Sequence, residues 1–195
     1  FLEKEKMELT KYIKIYDNVI KDEISSSFLH YARKVKDYEN TFILGDNNTF
    51  KVDKEVRNTT IKPLMQNSLS LTNIHWSNYW HSKIKQKVLE YVDELNIIKI
   101  PLENVNSIAI LKYEKGGYYK FHTDHCRAEP RTLSFIYFLN DDYEGGDLLF
   151  KLDGVDHKIE KKQNRAILWP SNFMYPHTVI PVESGVRYSL VSWIV

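Results

Sequence analysis

The sequence predicts an α+β, mainly β protein: a double-stranded β-helix, or jelly roll, with N-terminal helices packed on one sheet. Three observations point there. From Val105 onward, short apolar and β-branched runs alternate with Gly, Asp and Pro turns. Asp153-Gly154, between two of those runs, is a strong two-residue hairpin signal. Before Val105 apolar residues recur at helical spacing in two segments.

Taken in order, Tyr12, Ile13 and Ile15 suggest a short strand that turns at Asp17-Asn18. A helix is expected from about Asp22 to Tyr38, with Ile24, Phe28, Tyr31, Ala32 and Val35 on one side. Residues 39–60 are polar and turn-rich around Gly45-Asp46-Asn47-Asn48, which reads as a long loop or a loose hairpin. A second helix is expected from about Asn78 to Leu95, with Ile84, Val88, Tyr91, Val92 and Leu95 forming one buried stripe. Strand-like runs then fall at 105–113, 118–122, 132–139, 147–151, 155–159, 165–169, 177–181 and 187–195. Many short, evenly spaced strands fit a jelly roll. On this reading 1–195 is one domain, with a helical support layer over about 1–104 and the jelly roll over about 105–195.

Composition narrows the function classes. The 27 Lys and Arg nearly balance 26 Asp and Glu, which argues against a nucleic-acid-binding surface. The single Cys126 excludes an intramolecular disulfide and suits a reducing compartment, so the cytoplasm is the expected location. No stretch approaches the roughly 20 apolar residues that span a bilayer, so no membrane association is expected. Met7 is a candidate start, with residues 1–6 vector-derived or the edge of a longer protein.

Three residues are candidates for a metal site. His122-Thr123-Asp124 lies at the end of an expected strand, where positions i and i+2 project to the same side. His177 opens another strand. Two imidazoles and one carboxylate occupy one octahedral face and leave positions open, which suits Fe(II). The bland alternative for His122 is a hydrogen-bonded strand-end histidine. His30 and His81 fall within expected helices, His75 just before one, and His157 in a hairpin arm, so these read as surface or capping residues. His125 is the competing ligand, and a third histidine is what a different cupin-like metalloenzyme would use. Cys126 lacks the second thiolate that cysteine-built zinc sites usually have.

The run from Tyr113 to Asp124 (YEKGGYYKFHTD) resembles the Y…G…Y-x-x-H-x-D signature of prolyl 4-hydroxylase-like Fe(II)/2-oxoglutarate-dependent dioxygenases. Arg131–Asn140 (RTLSFIYFLN) is similar to that family's R-x-x-T-x-x-x-Y-L-N block, and Gly145–Phe150 (GGDLLF) to its G-G-E-T-x-F block. His177–Val182, Gly185–Ser189 and Trp193 resemble H-x-V-x-P-V-x-x-G-x-R-Y-S followed by W. The resemblance covers about 105–195. It is faint before that, chiefly at Glu55-Val56-Arg57-Asn58-Thr59.

The resemblance implies iron held by His122, Asp124 and His177, with 2-oxoglutarate and O2 as cosubstrates and ascorbate as reductant. It implies that Arg187 grips the far carboxylate of 2-oxoglutarate, a role for which a planar guanidinium is suited. Tyr119 would add a phenol donor, Ser134 stands in place of a family Thr, and Trp193 matches a tryptophan near the cosubstrate. Phe138 departs from the family Tyr and removes a hydroxyl. Arg57 and Tyr113 are the implied substrate-binding residues. The implied reaction hydroxylates a C–H bond, with release of succinate and CO2. Asp124 speaks against halogenation, since relatives that halogenate carry a small residue there. The expected substrate is a prolyl residue in a polypeptide, with residues 39–60 as a flap; another side chain, a free small molecule and a non-enzymatic binding module remain the alternatives.

Overall fold

The computed structural model describes residues 8–44, 49–97, 104–128 and 130–195. The expectations for Met7 and for the turn at Gly45–Asn48 lie outside the described residues. The first half contributes β1 (Lys14–Asp17), β2 (Glu39–Asn40), β3 (Ile43–Leu44), β4 (Phe50–Lys51), β5 (Arg57–Asn58) and β6 (Thr60–Leu64). The second half contributes β7 (Val105–Tyr113), β8 (Tyr118–His122), β9 (Leu133–Phe138), β10 (Glu144–Gly145) and β11 (Leu148–Leu152). It continues with β12 (Val155–Ile159), β13 (Arg165–Pro170), β14 (His177–Val179), β15 (Val182–Ser184) and β16 (Arg187–Ile194). Two helices, α1 (Asp22–Lys34) and α2 (Leu71–Glu94), complete the regular structure, with one short 3-10 turn at Leu9–Tyr12.

The fold is mainly β. A seven-stranded antiparallel sheet runs β1-β13-β9-β16-β7-β6-β2, and a five-stranded one runs β12-β11-β14-β8-β5. Alternation along the strands builds two cores. On β7 and β9, Ile108, Ile110, Phe135 and Tyr137 face outward and pack against Phe28, Trp76, Trp80, Ile84 and Val88 of the helices. The intervening Leu111, Ile136 and Phe138 face inward and meet Leu148, Phe150 and Val179 of the smaller sheet. β9 is therefore buried at every position, which explains its unbroken apolar run, LSFIYF. Trp80, fully buried with its ring 4.5 Å from that of Tyr137, anchors the helical layer. A side chain of this size stabilises by ~1.5–3 kcal/mol when fully buried.

The eight expected strands of the second half all form, within about two residues of their expected ends. Asp153 and Gly154 adopt φ of 51° and 81°, the double positive φ of a tight hairpin turn, between paired Leu152 and Val155. The first half departs from expectation. It is not only a helical layer, because β1, β2 and β6 extend the large sheet and β5 extends the small one. α1 ends at Lys34 rather than near Tyr38, since Tyr38 folds back and its hydroxyl donates to the Ala32 carbonyl at the helix end. α2 begins seven residues early, so His75 is inside it. Ser70 caps the end by accepting from Asn73 N–H, and the buried Asn73 side chain binds Met65 N–H and Pro63 C=O. Within the described part of 39–60, Ile43 pairs with Lys51 and Leu44 with Phe50, as in the hairpin alternative, while β2 joins β6 and β5 joins β8 in the main sheets. Among the described residues no helix is long and apolar enough to cross a membrane.

Candidate active site

The two histidines come together because β8 and β14 are neighbours whose register pairs His122 with His177. The same ladder pairs Tyr119 with Val179, so three steps along β8 match two along β14. That extra residue is a bulge. It leaves Lys120 and Phe121 both exposed and brings Tyr119 and His122 to the same inner face, where strict alternation would separate them. Their rings stack with centroids 3.5 Å apart.

Each histidine is oriented through its other nitrogen. Nδ1 of His122 lies 2.9 Å from the Lys120 carbonyl, and Nδ1 of His177 lies 3.1 Å from the Tyr175 carbonyl. A carbonyl only accepts, so both Nδ1 atoms carry the proton and both Nε2 atoms present lone pairs. These point at Asp124, with Nε2 of His122 3.5 Å from Oδ1 and Nε2 of His177 3.6 Å from Oδ2. The three ligand atoms lie within 4.8 Å of one another, and this is the one cluster able to hold a metal among the described residues. Two imidazole nitrogens and a carboxylate converging on one point fit a divalent metal.

Burial would raise the pKa of Asp124, but the two histidines in their protonated forms and the Ser134 hydroxyl outweigh it and hold the carboxyl well below the usual carboxylate range. Burial, reinforced by His122, pushes His177 down to about 4. At neutral pH the site therefore offers an anionic oxygen and an uncharged imidazole, the states that bind metal.

Ser134 donates to Asp124 Oδ2 at 2.6 Å and shares a hydrogen bond with Ser171. The structure thus places Ser134 behind the aspartate. Register aligns Trp169, Ser134 and Trp193 in one row across β13, β9 and β16, and both tryptophans line the cavity beside the three candidate ligands. That cavity has a volume of about 300 Å³. Arg57 lies at its wall, Cζ 4.5 Å from the centre of the Tyr119 ring, and Cys126 also lines it. His125 is turned away: its Nδ1 lies 3.2 Å from the Arg131 N–H and its own N–H donates to Ser171 C=O, which closes the 125–131 loop. Arg131, not anticipated from sequence, donates to the Asp124 carbonyl and stacks 3.9 Å from the Trp193 ring. Its place in the R-x-x-T block was the available signal.

Arg187 opens β16, paired to Tyr113. It is 0 % exposed, and none of its three guanidinium nitrogens has a hydrogen-bond partner. Its Cζ lies 4.8 Å from the Tyr113 ring and 5.5 Å from that of Phe138. Tyr113 lines the cavity, and Arg187 sits one layer deeper. Tyr113 packs its ring on Arg187, while the Tyr119 ring stacks on His122. A buried guanidinium without a counter-charge costs several kcal/mol.

Residues 108–195 match the family model described as the 2OG-Fe(II) oxygenase superfamily. Within the wider chain, 122 residues are 37 % identical to a PKHD-type hydroxylase of Synechococcus sp. (strain CC9902), covering 57 % of this chain and 54 % of that protein. A PKHD-type hydroxylase of Psychrobacter sp. (strain PRwf-1) is 36 % identical over 92 residues, 42 % of this chain and 35 % of its own length. The chain spans about half the length, or less, of these curated relatives. The chain shares its fold with a prolyl-4-hydroxylase of Pseudomonas putida. The TM-score is 0.71 at 21 % identity, over 94 % of this chain and 92 % of that one. It also resembles a prolyl hydroxylase of Trichoplax adhaerens in complex with a hypoxia inducible factor peptide fragment, with TM-score 0.76 at 19 % identity over 95 % and 84 %.

Proposed function

We propose that this chain is a single Fe(II)- and 2-oxoglutarate-dependent dioxygenase unit, built on a jelly roll, that hydroxylates a prolyl residue in a polypeptide. The observation that carries the reading is the convergence of His122 Nε2, His177 Nε2 and the Asp124 carboxylate at one cavity, with the unpaired Arg187 behind its wall. In the jelly-roll reading the two facing sheets are its halves, and the first-half strands are part of the unit because they complete both.

The residues divide the work. His122, Asp124 and His177 would hold iron, and Arg187 would take the far carboxylate of 2-oxoglutarate. Iron with 2-oxoglutarate and O2 supplies the oxidising power that converts C–H to C–OH, releasing succinate and CO2. Ser134 and Arg131 fix the Asp124 carboxylate and its loop. Leu111, Ile136, Leu148 and Val179 give the cavity apolar walls that exclude water. The polypeptide substrate is supported by the peptide bound to the Trichoplax protein and by the hairpin at the cavity. Phe42 and Phe50 of that hairpin region line the cavity yet are 56 % and 57 % exposed, a surface suited to an extended chain. Arg57 stands beside them as the substrate-side cation.

Two measurements test this. Anaerobic calorimetry should show Mn(II) binding that Asp124→Ala weakens beyond the roughly 10–100-fold typical of losing an outer partner. Unchanged affinity would remove the metal site. Incubating the protein with Fe(II), 2-oxoglutarate, ascorbate and proline-containing peptides should add one oxygen to peptide mass. Oxygen found on free amino acids alone would reject the polypeptide substrate.

A further inference from the structure

Tyr143 is a buried polar residue that neither the sequence motifs nor the metal site explains. It is 3 % exposed, and its hydroxyl has no hydrogen-bond partner. It lies against Arg187, whose three nitrogens are equally unpartnered. Gly146 records how close the two come: a Cβ there would meet Tyr143 Cε2 at 3.1 Å and Arg187 Cδ at 3.3 Å. With φ of +63°, Gly146 also suits a backbone that other residues rarely adopt.

The chemistry of the pair is one-sided. A guanidinium is donor only, and burial raises the Tyr143 phenol while Arg187 opposes that, with the net shift upward, so the hydroxyl keeps its proton. Lys161 Nζ adds another cation 4.5 Å from the Tyr143 ring centre. Lys161 is satisfied by the Tyr143 carbonyl and Glu144, whereas the Arg187 guanidinium has no carboxylate partner among the described residues. The phenol oxygen can accept from the guanidinium beside it, but the phenol proton and the remaining guanidinium N–H groups are left without acceptors, a cost of about 1–3 kcal/mol or more that a shared anion would relieve. Phe138, with its ring 5.5 Å from Arg187 Cζ, has no hydroxyl to offer.

We propose that Tyr143 and Arg187 form a two-residue clamp, the phenol donating to the same cosubstrate carboxylate that the guanidinium grips. This rests on the 2-oxoglutarate reading above and adds to it a binding residue that lies outside the motif blocks. Tyr143 stands in for the hydroxyl that Phe138 lacks.

The test is anaerobic calorimetry on the Mn(II)-loaded protein with two ligands, 2-oxoglutarate and 2-oxobutyrate, which keeps the keto acid and lacks the far carboxylate. Tyr143→Phe should weaken 2-oxoglutarate by about tenfold or more, as for a hydrogen bond to a charged group. It should leave 2-oxobutyrate affinity unchanged and the ligand-free thermal midpoint no lower. Equal loss for both ligands would show a structural effect and overturn the clamp, as would undiminished 2-oxoglutarate binding. Arg187→Met in the same series separates the two levels. If it loses 2-oxoglutarate while Tyr143→Phe does not, only the phenol assignment fails; if it also binds normally, the 2-oxoglutarate reading itself fails.

Discussion

Replacing Arg187 with Met should weaken cosubstrate binding and leave the ligand-free protein no less stable, an unusual pairing of effects. The guanidinium is fully buried with three unpartnered nitrogens, so the folded protein carries the cost of an uncompensated charge. That cost is several kcal/mol, against which the contacts with the Tyr113 and Phe138 rings return about 0.5–2 kcal/mol each. Met keeps an unbranched apolar stem that fills irregular space. The thermal midpoint of ligand-free Arg187→Met should therefore equal or exceed that of wild type. Binding moves the other way. Losing a charge-assisted pair in a buried site costs about 2–5 kcal/mol, or roughly 30- to 4,000-fold in affinity. Thermal scans of Mn(II)-loaded protein read both effects at once. At 100 times its dissociation constant, 2-oxoglutarate should stabilise wild type by about 2.7 kcal/mol and the variant negligibly. A variant that is clearly less stable without ligand, yet gains as much from 2-oxoglutarate as wild type, would refute the reasoning.

Three further outcomes follow from the geometry. Ser134→Ala removes the 2.6 Å bond to Asp124 Oδ2, and Mn(II) affinity should fall roughly 10–100-fold with the fold intact, as calorimetry and circular dichroism would show. Acid should destabilise the metal-free protein. His177 is held down to about 4 against an ordinary 6.5, so between these values the unfolded chain binds the extra proton and stability falls as pH drops. At 1.36 kcal/mol per pKa unit this amounts to about 3 kcal/mol, and the depressed Asp124 adds a loss of the same sign at lower pH. Urea midpoints at pH 7 and 4.5 should show the drop in wild type and a smaller one in His177→Gln; equal drops would exclude His177 as its source. Shortening residues 44–51 to a brief linker should abolish peptide turnover while slow uncoupled decarboxylation of 2-oxoglutarate continues. Peptide turnover that survives the deletion leaves the hairpin without a role.

The sequence by itself determined what local pattern can carry. The eight strands of the second half are legible because turn residues punctuate them, and Asp153-Gly154 demands the positive φ values that the hairpin shows. The ligand set was legible because its residue types and order are tied to one another in motif blocks. What only the tertiary structure decided depends on contacts across long separations. β1 and β6 look unremarkable as sequence and become strands because β13 and β7 offer them an edge. α2 starts early because Asn73 satisfies backbone groups of the preceding turn, a bond that no helical periodicity encodes. The bulge that turns Tyr119 and His122 to one face exists only in the pairing of β8 with β14. Ser134 meets Asp124 because register sets it between two tryptophans. Arg187 and Tyr143 stand 44 positions apart in the chain, and their shared lack of partners is a property of the packed interior alone.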